Sequence, residues 1–197
     1  MPSDSSLQVL ILGNSIAAGY GVDEGDAFPA LLQQRVDSLG WDANIRGAGV
    51  SGETTAGGLR RIGWLLRRPV DVLVVELGGN DGLRGVDPEA SQANLQAIID
   101  TTRARYPDTR IILAGMQVPP NMGERYARQF REIYPTLAQK NDVELIPFVL
   151  EDVGGVDSLN LDDGIHPNPA GHRIVADNVW AVLRPVLEDL RQQESVS

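Results

Sequence analysis

The chain has 197 residues, 42% of them hydrophobic, and a formal net charge of −10 at pH 7. This length is typical of one domain with a substantial core, and the acidic balance argues against a nucleic-acid surface. The absence of cysteine excludes disulfides, thiolate nucleophiles and cysteine metal sites. No apolar run approaches the ~20 residues of a membrane span, so we expect no stable membrane anchor.

Strand-like apolar runs alternate with helix-like stretches along the whole chain. Strands are predicted over residues 7–12, 43–48, 70–77, 110–116 and 143–147. Helices are predicted over residues 28–39, 55–68, 88–105, 125–141 and from Pro169 onward, with Asn168 as the cap of the last one. Repeated strand–helix units of this kind predict a single α/β domain over residues 1–197, with about five parallel strands and helices on both faces.

Residues with reactive or hydrogen-bonding side chains follow the predicted strands. Ser15 follows the first strand, Gly52 the second and Asn80 the third, while Asp163 and His166 precede the final helix. In an open parallel sheet, ligands bind beyond the carboxyl ends of the strands. We therefore expect these five residues to meet along one edge of the sheet.

Serine and histidine at such an edge indicate nucleophilic catalysis. A serine hydroxyl needs a base to remove its proton, and the base needs a third group to orient it. Ser15 alone would be interpreted as a strand-end or cap residue, and His166 alone as a structural histidine, but the set favours a serine hydrolase. The segment GNSIA is not the G-x-S-x-G elbow of α/β-hydrolases, and GNSIAAGYG lacks the Lys-Ser/Thr of a P-loop.

Four segments carry a specific family resemblance: GNSIAAGYG, GAGVSGETTAGG, ELGGNDGLRG and DDGIHPN. In this order they resemble the four blocks of the SGNH (GDSL-type) hydrolases, and in particular the bacterial multifunctional thioesterase I, lysophospholipase and arylesterase group. The resemblance implies a three-layer, flavodoxin-like fold and a catalytic triad of Ser15, Asp163 and His166. It also implies an oxyanion hole formed by the Ser15 amide, the Gly52 amide and the Asn80 side chain.

One position departs from the family pattern. The first block usually reads Gly-Asp-Ser, whereas this chain has Asn14 before the serine. Asparagine keeps an acceptor oxygen but loses the charge and gains two donor hydrogens, so we expect Asn14 to support the nucleophile loop through hydrogen bonds. Asp81 and Glu76 are interpreted as structural residues, and His172 is expected to face solvent.

The predicted activity is that of a serine esterase acting on a small-molecule substrate without metal or cofactor. Its substrates are expected to be short to medium acyl esters or aryl esters, with acyl thioesters and lysophospholipids as further candidates. Val118, Pro119, Pro120 and Met122 are interpreted either as an apolar groove for the acyl chain or as a simple connector.

Two alternative functions and two locations remain open at this stage. One alternative is a carbohydrate deacetylase, against which the apolar 117–122 segment argues mildly. The other is an impaired binding protein for acyl ligands, suggested by Asn14. The start of the chain, MPSDSSLQ, lacks the features of a secretory signal. We expect a cytoplasmic protein, or a periplasmic one if a leader was removed, since the resembled group is often exported.

Overall fold

A computed structural model describes residues 6–194, apart from the side chains of Pro120 and Glu194. Five parallel strands form one sheet in the order β2-β1-β3-β4-β5. The strands are β1 (Leu7–Gly13), β2 (Ala43–Gly49), β3 (Val72–Glu76), β4 (Arg110–Ala114) and β5 (Glu144–Ile146). The predicted α/β fold with about five parallel strands is therefore confirmed.

Six α-helices cover the two faces of this sheet. They are α1 (Phe28–Ser38), α2 (Thr55–Leu65), α3 (Gly79–Leu83), α4 (Pro88–Arg105), α5 (Glu124–Asn141) and α6 (Pro169–Glu194). Strand β2 lies on one side of β1 and the later strands on the other, so right-handed crossovers place the connecting helices α2, α4 and α5 on the opposite face from α1. Accordingly, α1 packs against α6, whereas α2, α4 and α5 pack beside one another. The result is a three-layer arrangement.

The core lies on both sides of the three central strands. Every residue of β3 is buried, and β1 is buried along nearly its whole length, as expected for parallel strands covered on both faces. Phe28, Phe130 and Tyr134 are the largest fully buried side chains that the helices contribute. No helix within residues 6–194 is long and apolar enough to cross a membrane.

Two helix boundaries have clear causes in the sequence. Helix α2 ends at Leu65, three residues before its predicted end; Pro69 disfavours helical geometry at Arg68, the last residue of the predicted helix. Helix α6 begins at Pro169 as predicted, and the Asn168 side chain accepts a hydrogen bond from the Gly171 N–H at 3.0 Å.

The short helix α3 follows β3 and was not expected from the sequence pattern. Its five residues, GNDGL, are too few to show helical periodicity. Gly78, at the position before the helix, has φ of 119°, a conformation that residues with side chains rarely adopt. This turn brings Asn80 into the first turn of α3, directly beyond the end of β3.

Candidate active site

Ser15, His166 and Asp163 form one continuous chain of hydrogen bonds. The Ser15 Oγ lies 3.0 Å from His166 Nε2, and His166 Nδ1 lies 2.6 Å from Asp163 Oδ2. Ser15 stands two residues beyond the end of β1, and the other two residues lie in the turn before α6. The fold thus brings together three residues from opposite ends of the chain.

The turn that carries Asp163 and His166 is stabilised by hydrogen bonds between its own residues. Asp163 Oδ1 accepts hydrogen bonds from the N–H groups of His166, at 3.0 Å, and Ile165, at 2.9 Å. Gly164 has φ of 66°, which permits this tight backbone path. Chiefly because of the His166 N–H, and then of the imidazole and the Ile165 N–H, the pKa of Asp163 falls to about 2.

An ionised Asp163 determines which nitrogen of His166 carries the proton. A carboxylate only accepts hydrogen bonds, so the short contact with Nδ1 requires a hydrogen on Nδ1. In the neutral imidazole, Nε2 is then left as an acceptor facing the Ser15 hydroxyl. The base is therefore oriented to take the serine proton.

Buried side chains accept hydrogen bonds from the backbone of the nucleophile loop, the segment that carries Ser15. Asn14 Oδ1 accepts a hydrogen bond from the Ile16 N–H at 2.9 Å. Glu76, the last residue of β3, accepts through Oε2 from the N–H groups of Asn14, at 3.2 Å, and Ala17, at 3.3 Å. These contacts fix the backbone immediately before and after Ser15.

Glu76 is fully buried beneath this loop, and its second oxygen, Oε1, has no hydrogen-bond partner among the described residues. Burial raises the pKa of the carboxyl to about 8, and the hydrogen bonds from Asn14 and Ala17 oppose this only in part. The carboxyl therefore holds a proton in the neutral pH range.

The three donors predicted for the oxyanion hole keep hydrogens that no described residue accepts. The backbone N–H groups of Ser15 and Gly52 donate to no residue within the described range 6–194. Gly52 has φ of 79°, which favours glycine at this position. The Asn80 Nδ2 donates to the Glu53 carbonyl at 2.9 Å, which uses only one of its two hydrogens. This set could stabilise an oxyanion.

Asp81, the neighbour of Asn80, has a structural position. It is buried and accepts hydrogen bonds from the Thr55 N–H at 2.9 Å, the Thr55 hydroxyl at 2.6 Å and the Ser91 hydroxyl at 3.1 Å. These bonds connect α2, α3 and α4.

An open cavity of about 730 Å³ borders the triad on the Asp163 side. Its lining residues are Tyr20, Gly21, Asn160, Leu161, Asp162, Asp163 and Asn168. The Tyr20 ring is half-exposed and its centroid lies 4.5 Å from that of His166. The motif alone did not identify Tyr20, although an aromatic residue between Gly19 and Gly21, close after Ser15, was the available signal.

The four residues interpreted as an acyl groove or a connector differ in their exposure. Val118 is buried, Pro119 is exposed and Met122 packs partly against the core. The side chain of Pro120 lies outside the described part of the chain. The cavity beside the triad is lined by other residues, so the acyl groove stays a prediction.

The expectation that His172 faces solvent is wrong. The side chain is buried, its Nδ1 accepts the Phe28 N–H at 3.2 Å, and burial lowers its pKa to about 4. His172 precedes Val175 and Val179 by three and seven residues, so helical periodicity places it on the core face of α6. No group of three metal-binding side chains occurs among residues 6–194.

Comparison with known proteins agrees with this architecture. The model of the GDSL-like lipase/acylhydrolase family matches residues 11–174. The esterase TesA of Pseudomonas aeruginosa is 43% identical over 180 residues, covering 91% of this chain and 89% of that protein. An arylesterase of Vibrio mimicus is 36% identical, with coverage of 90% and 88%. The thioesterase 1/protease 1/lysophospholipase L1 of Escherichia coli is 39% identical, with coverage of 91% and 84%.

Solved structures lead to the same class. The crystal structure of TesA superposes with a TM-score of 0.87 at 41% identity, covering 91% of this chain and 99% of that one. The psychrotrophic esterase EstA from Pseudoalteromonas, inhibited by monoethylphosphonate, has a TM-score of 0.86 at 31% identity, with coverage of 92% and 98%. The fold and site define an SGNH-type hydrolase. The chain belongs to the GDSL-like lipase/acylhydrolase family and is a carboxylic ester hydrolase.

Proposed function

We propose that Ser15 is the nucleophile, His166 the general base and Asp163 the residue that orients it, in an esterase that works through an acyl-enzyme. The observation that carries this proposal is the continuous contact from Ser15 Oγ through both ring nitrogens of His166 to Asp163. The geometry does not favour the alternative of an impaired binding protein, because all three groups lie within hydrogen-bonding distance.

In the first half of the reaction, His166 Nε2 takes the hydroxyl proton as Ser15 Oγ attacks the ester carbonyl carbon. The resulting imidazolium is stabilised by the Asp163 carboxylate, which stays ionised throughout. His166 then returns the proton to the leaving alcohol or thiol as the carbon–oxygen or carbon–sulfur bond breaks. The acyl group remains on Ser15.

In the second half, water takes the place of the alcohol. His166 Nε2 accepts a proton from the water as its oxygen attacks the acyl carbon, and the proton then passes to Ser15 Oγ as the acyl–enzyme bond breaks. The products are the carboxylic acid and the free hydroxyl of Ser15. No step requires a bound metal or cofactor.

Both tetrahedral intermediates place negative charge on the former carbonyl oxygen. We assign the stabilisation of this charge to the N–H groups of Ser15 and Gly52 and to the second Nδ2 hydrogen of Asn80. Donors that are already fixed before the charge develops contribute strongly to acyl transfer, since little reorganisation is needed during the reaction.

The substrates we propose are short to medium acyl esters and aryl esters, with acyl thioesters and lysophospholipids as further substrates. The names of the similar proteins, an esterase, an arylesterase and a thioesterase/lysophospholipase, support this range. The open cavity beside Tyr20 offers room for a leaving group next to His166.

The test combines labelling of Ser15 with a substrate series. Ser15→Ala should retain the fold but lose turnover by up to about 10⁶-fold and resist labelling by a phosphonate. Ser38→Ala, which alters an exposed serine at the end of α1, is the matched control and should behave as wild type. Activity that survives Ser15→Ala would contradict the mechanism.

Chain-length preference is measured with para-nitrophenyl esters from acetate to decanoate. Acyl-CoA and acetylated sugars are assayed in parallel. We expect the highest kcat/KM among the shorter para-nitrophenyl esters, whereas a preference for acetylated sugars would indicate a deacetylase.

A further inference from the structure

The Arg61 side chain, which comes from α2, lies under the carboxyl ends of the first two strands. Its Nη2 donates to the carbonyl of Gly13, the last residue of β1, at 3.1 Å, and to the carbonyl of Ala48 in β2 at 2.6 Å. Its Nε donates to Glu53 Oε2 at 2.6 Å, and Nη2 contacts the same oxygen. One guanidinium group thus joins two strand ends and one loop.

This ion pair is shielded from solvent to an unusual degree. The Arg61 and Glu53 side chains are only 22% and 8% exposed. A charged group that is shielded from solvent loses its hydration, so it needs an oppositely charged or hydrogen-bonding partner close by. The planar guanidinium fixes the direction of each bond it donates, unlike the flexible ammonium group of lysine. The pair therefore holds the surrounding backbone in one arrangement.

The backbone that it holds carries the proposed oxyanion donors. Glu53 follows Gly52 directly, and its carbonyl accepts the hydrogen bond from Asn80 Nδ2 at 2.9 Å. The Gly13 carbonyl, two residues before Ser15, also accepts from the Val50 N–H at 3.1 Å. Arg61 is thus bonded both to the chain leading into Ser15 and, through Glu53, to the residue that orients Asn80.

We propose that Arg61 and Glu53 are positioning residues that set the spacing of the oxyanion hole. They do so without touching the substrate, by linking the nucleophile loop at Gly13 to the oxyanion loop at Gly52 and Glu53. The inference rests on the proposed assignment of Ser15, Gly52 and Asn80 as oxyanion donors. It states that the Arg61–Glu53 ion pair holds the oxyanion donors at the required spacing.

This role has a characteristic kinetic signature. An oxyanion hole that is slightly too wide still admits the ester but stabilises the developing charge less. Loss of the ion pair should therefore lower kcat and leave KM little changed. Small misplacements of catalytic groups cost up to about 10²-fold in rate, so we expect Arg61→Met to reduce kcat by about that factor.

The first experiment compares Arg61→Met, Arg61→Lys and Glu53→Gln with wild type on para-nitrophenyl butyrate. The matched control is Arg35→Met, which removes an ion pair to Asp177 and a bond to the Ala176 carbonyl far from the site. We expect kcat to fall from wild type to Arg61→Lys and further to Arg61→Met, whereas the control Arg35→Met should match wild type. If Arg61→Met does not fold, Arg61→Lys and Glu53→Gln carry the test. A lowered Tm with unchanged kcat would show a merely structural ion pair and overturn the proposal.

The second experiment is a double-mutant cycle with Asn80→Ala. If Arg61 acts through the hole, its substitution should cost only a few-fold once Asn80 is gone, because residues of one network are not additive. An equal fold-loss in both backgrounds would overturn the proposal while leaving the triad intact. Ser15→Ala, measured in parallel, reports separately on the proposed function.

Discussion

Ser15 and His166 meet across 3.0 Å, yet the segments that carry them differ in burial and in the source of their hydrogen bonds. Asn14 and Ser15 are 2% and 7% exposed and depend on Glu76, which is distant in sequence. The side chains of His166 and Asp163 are 21% and 37% exposed, and their turn is closed by bonds between residues 163 and 166.

Because of this difference, we expect substitutions in the two segments to affect catalytic rate and folding stability in different proportions. A change in the exposed turn removes a group that we propose to be catalytic without disturbing the core, so it should affect rate far more than folding. A change in the nucleophile loop alters a buried network, where an unpaired polar group is costly. It should affect both properties, and it should do so in a pH-dependent manner.

Among substitutions that leave Ser15 in place, the largest effect on rate is expected in the turn. Asp163→Asn should lower kcat by about 10⁴-fold, as the equivalent change does in a serine protease triad, because an amide no longer fixes the tautomer of His166. The Tm should stay close to that of wild type, since Asp163 is exposed. Asp157→Asn, an exposed aspartate in a short helical turn, is the control. Substantial activity in Asp163→Asn would refute its role.

The same contrast explains how much of the site was predictable. Asp163, Gly164 and His166 interact within four residues, so a short motif carries their geometry. The strands and long helices were likewise predictable, because β3 is apolar up to its last residue, Glu76, and α4 follows Asp87 as its cap and has Pro88 in its first turn.

Long-range contacts were not predictable in this way. No local pattern indicates that Arg61 reaches Gly13 and Ala48, or that Tyr20 lies against His166, since these contacts depend on how the strands and loops assemble. The burial of His172 follows from the helical period of α6, because His172 lies three and seven residues before the buried Val175 and Val179. Helix α3 was hidden by its two glycines and short length.

A smaller effect is expected at the proposed oxyanion hole, where the Asn80 side chain is partly buried. Asn80→Ala should reduce kcat by about 10²–10³-fold, the range for loss of one oxyanion donor, with little change in KM. Asn44→Ala, which removes an exposed asparagine at the far end of β2, should leave both constants unchanged. A change confined to KM would instead assign Asn80 to substrate binding.

The smallest effect on rate, and the most informative effect on stability, is expected from the pair Asn14 and Glu76. In the folded protein the pKa of Glu76 is about 8, against an ordinary value of 4.5. Between these values the native state holds a proton that the unfolded chain has released, so this carboxyl makes stability fall as pH rises. Glutamine mimics the protonated acid. Glu76→Gln should therefore match wild type near pH 5 and exceed its Tm increasingly toward about pH 8.

Asn14→Asp restores the residue usual in the family and sharpens this test. Its Oδ1 can still accept the Ile16 N–H, but its second oxygen replaces an NH₂ group beside Glu76. Two adjacent buried carboxyls cannot both ionise easily, so one proton is shared by the pair and is held to higher pH. We expect kcat/KM to change only a few-fold at neutral pH, and the alkaline loss of Tm to extend further than in wild type. Adding Glu76→Gln should remove that extension. The measurement is Tm from about pH 5 to about pH 9 for wild type, Glu76→Gln, Asn14→Asp and the double variant. Parallel curves would contradict the prediction. They would mean that Glu76 is ionised in the folded protein and that Asn14 supports the loop by hydrogen bonding alone.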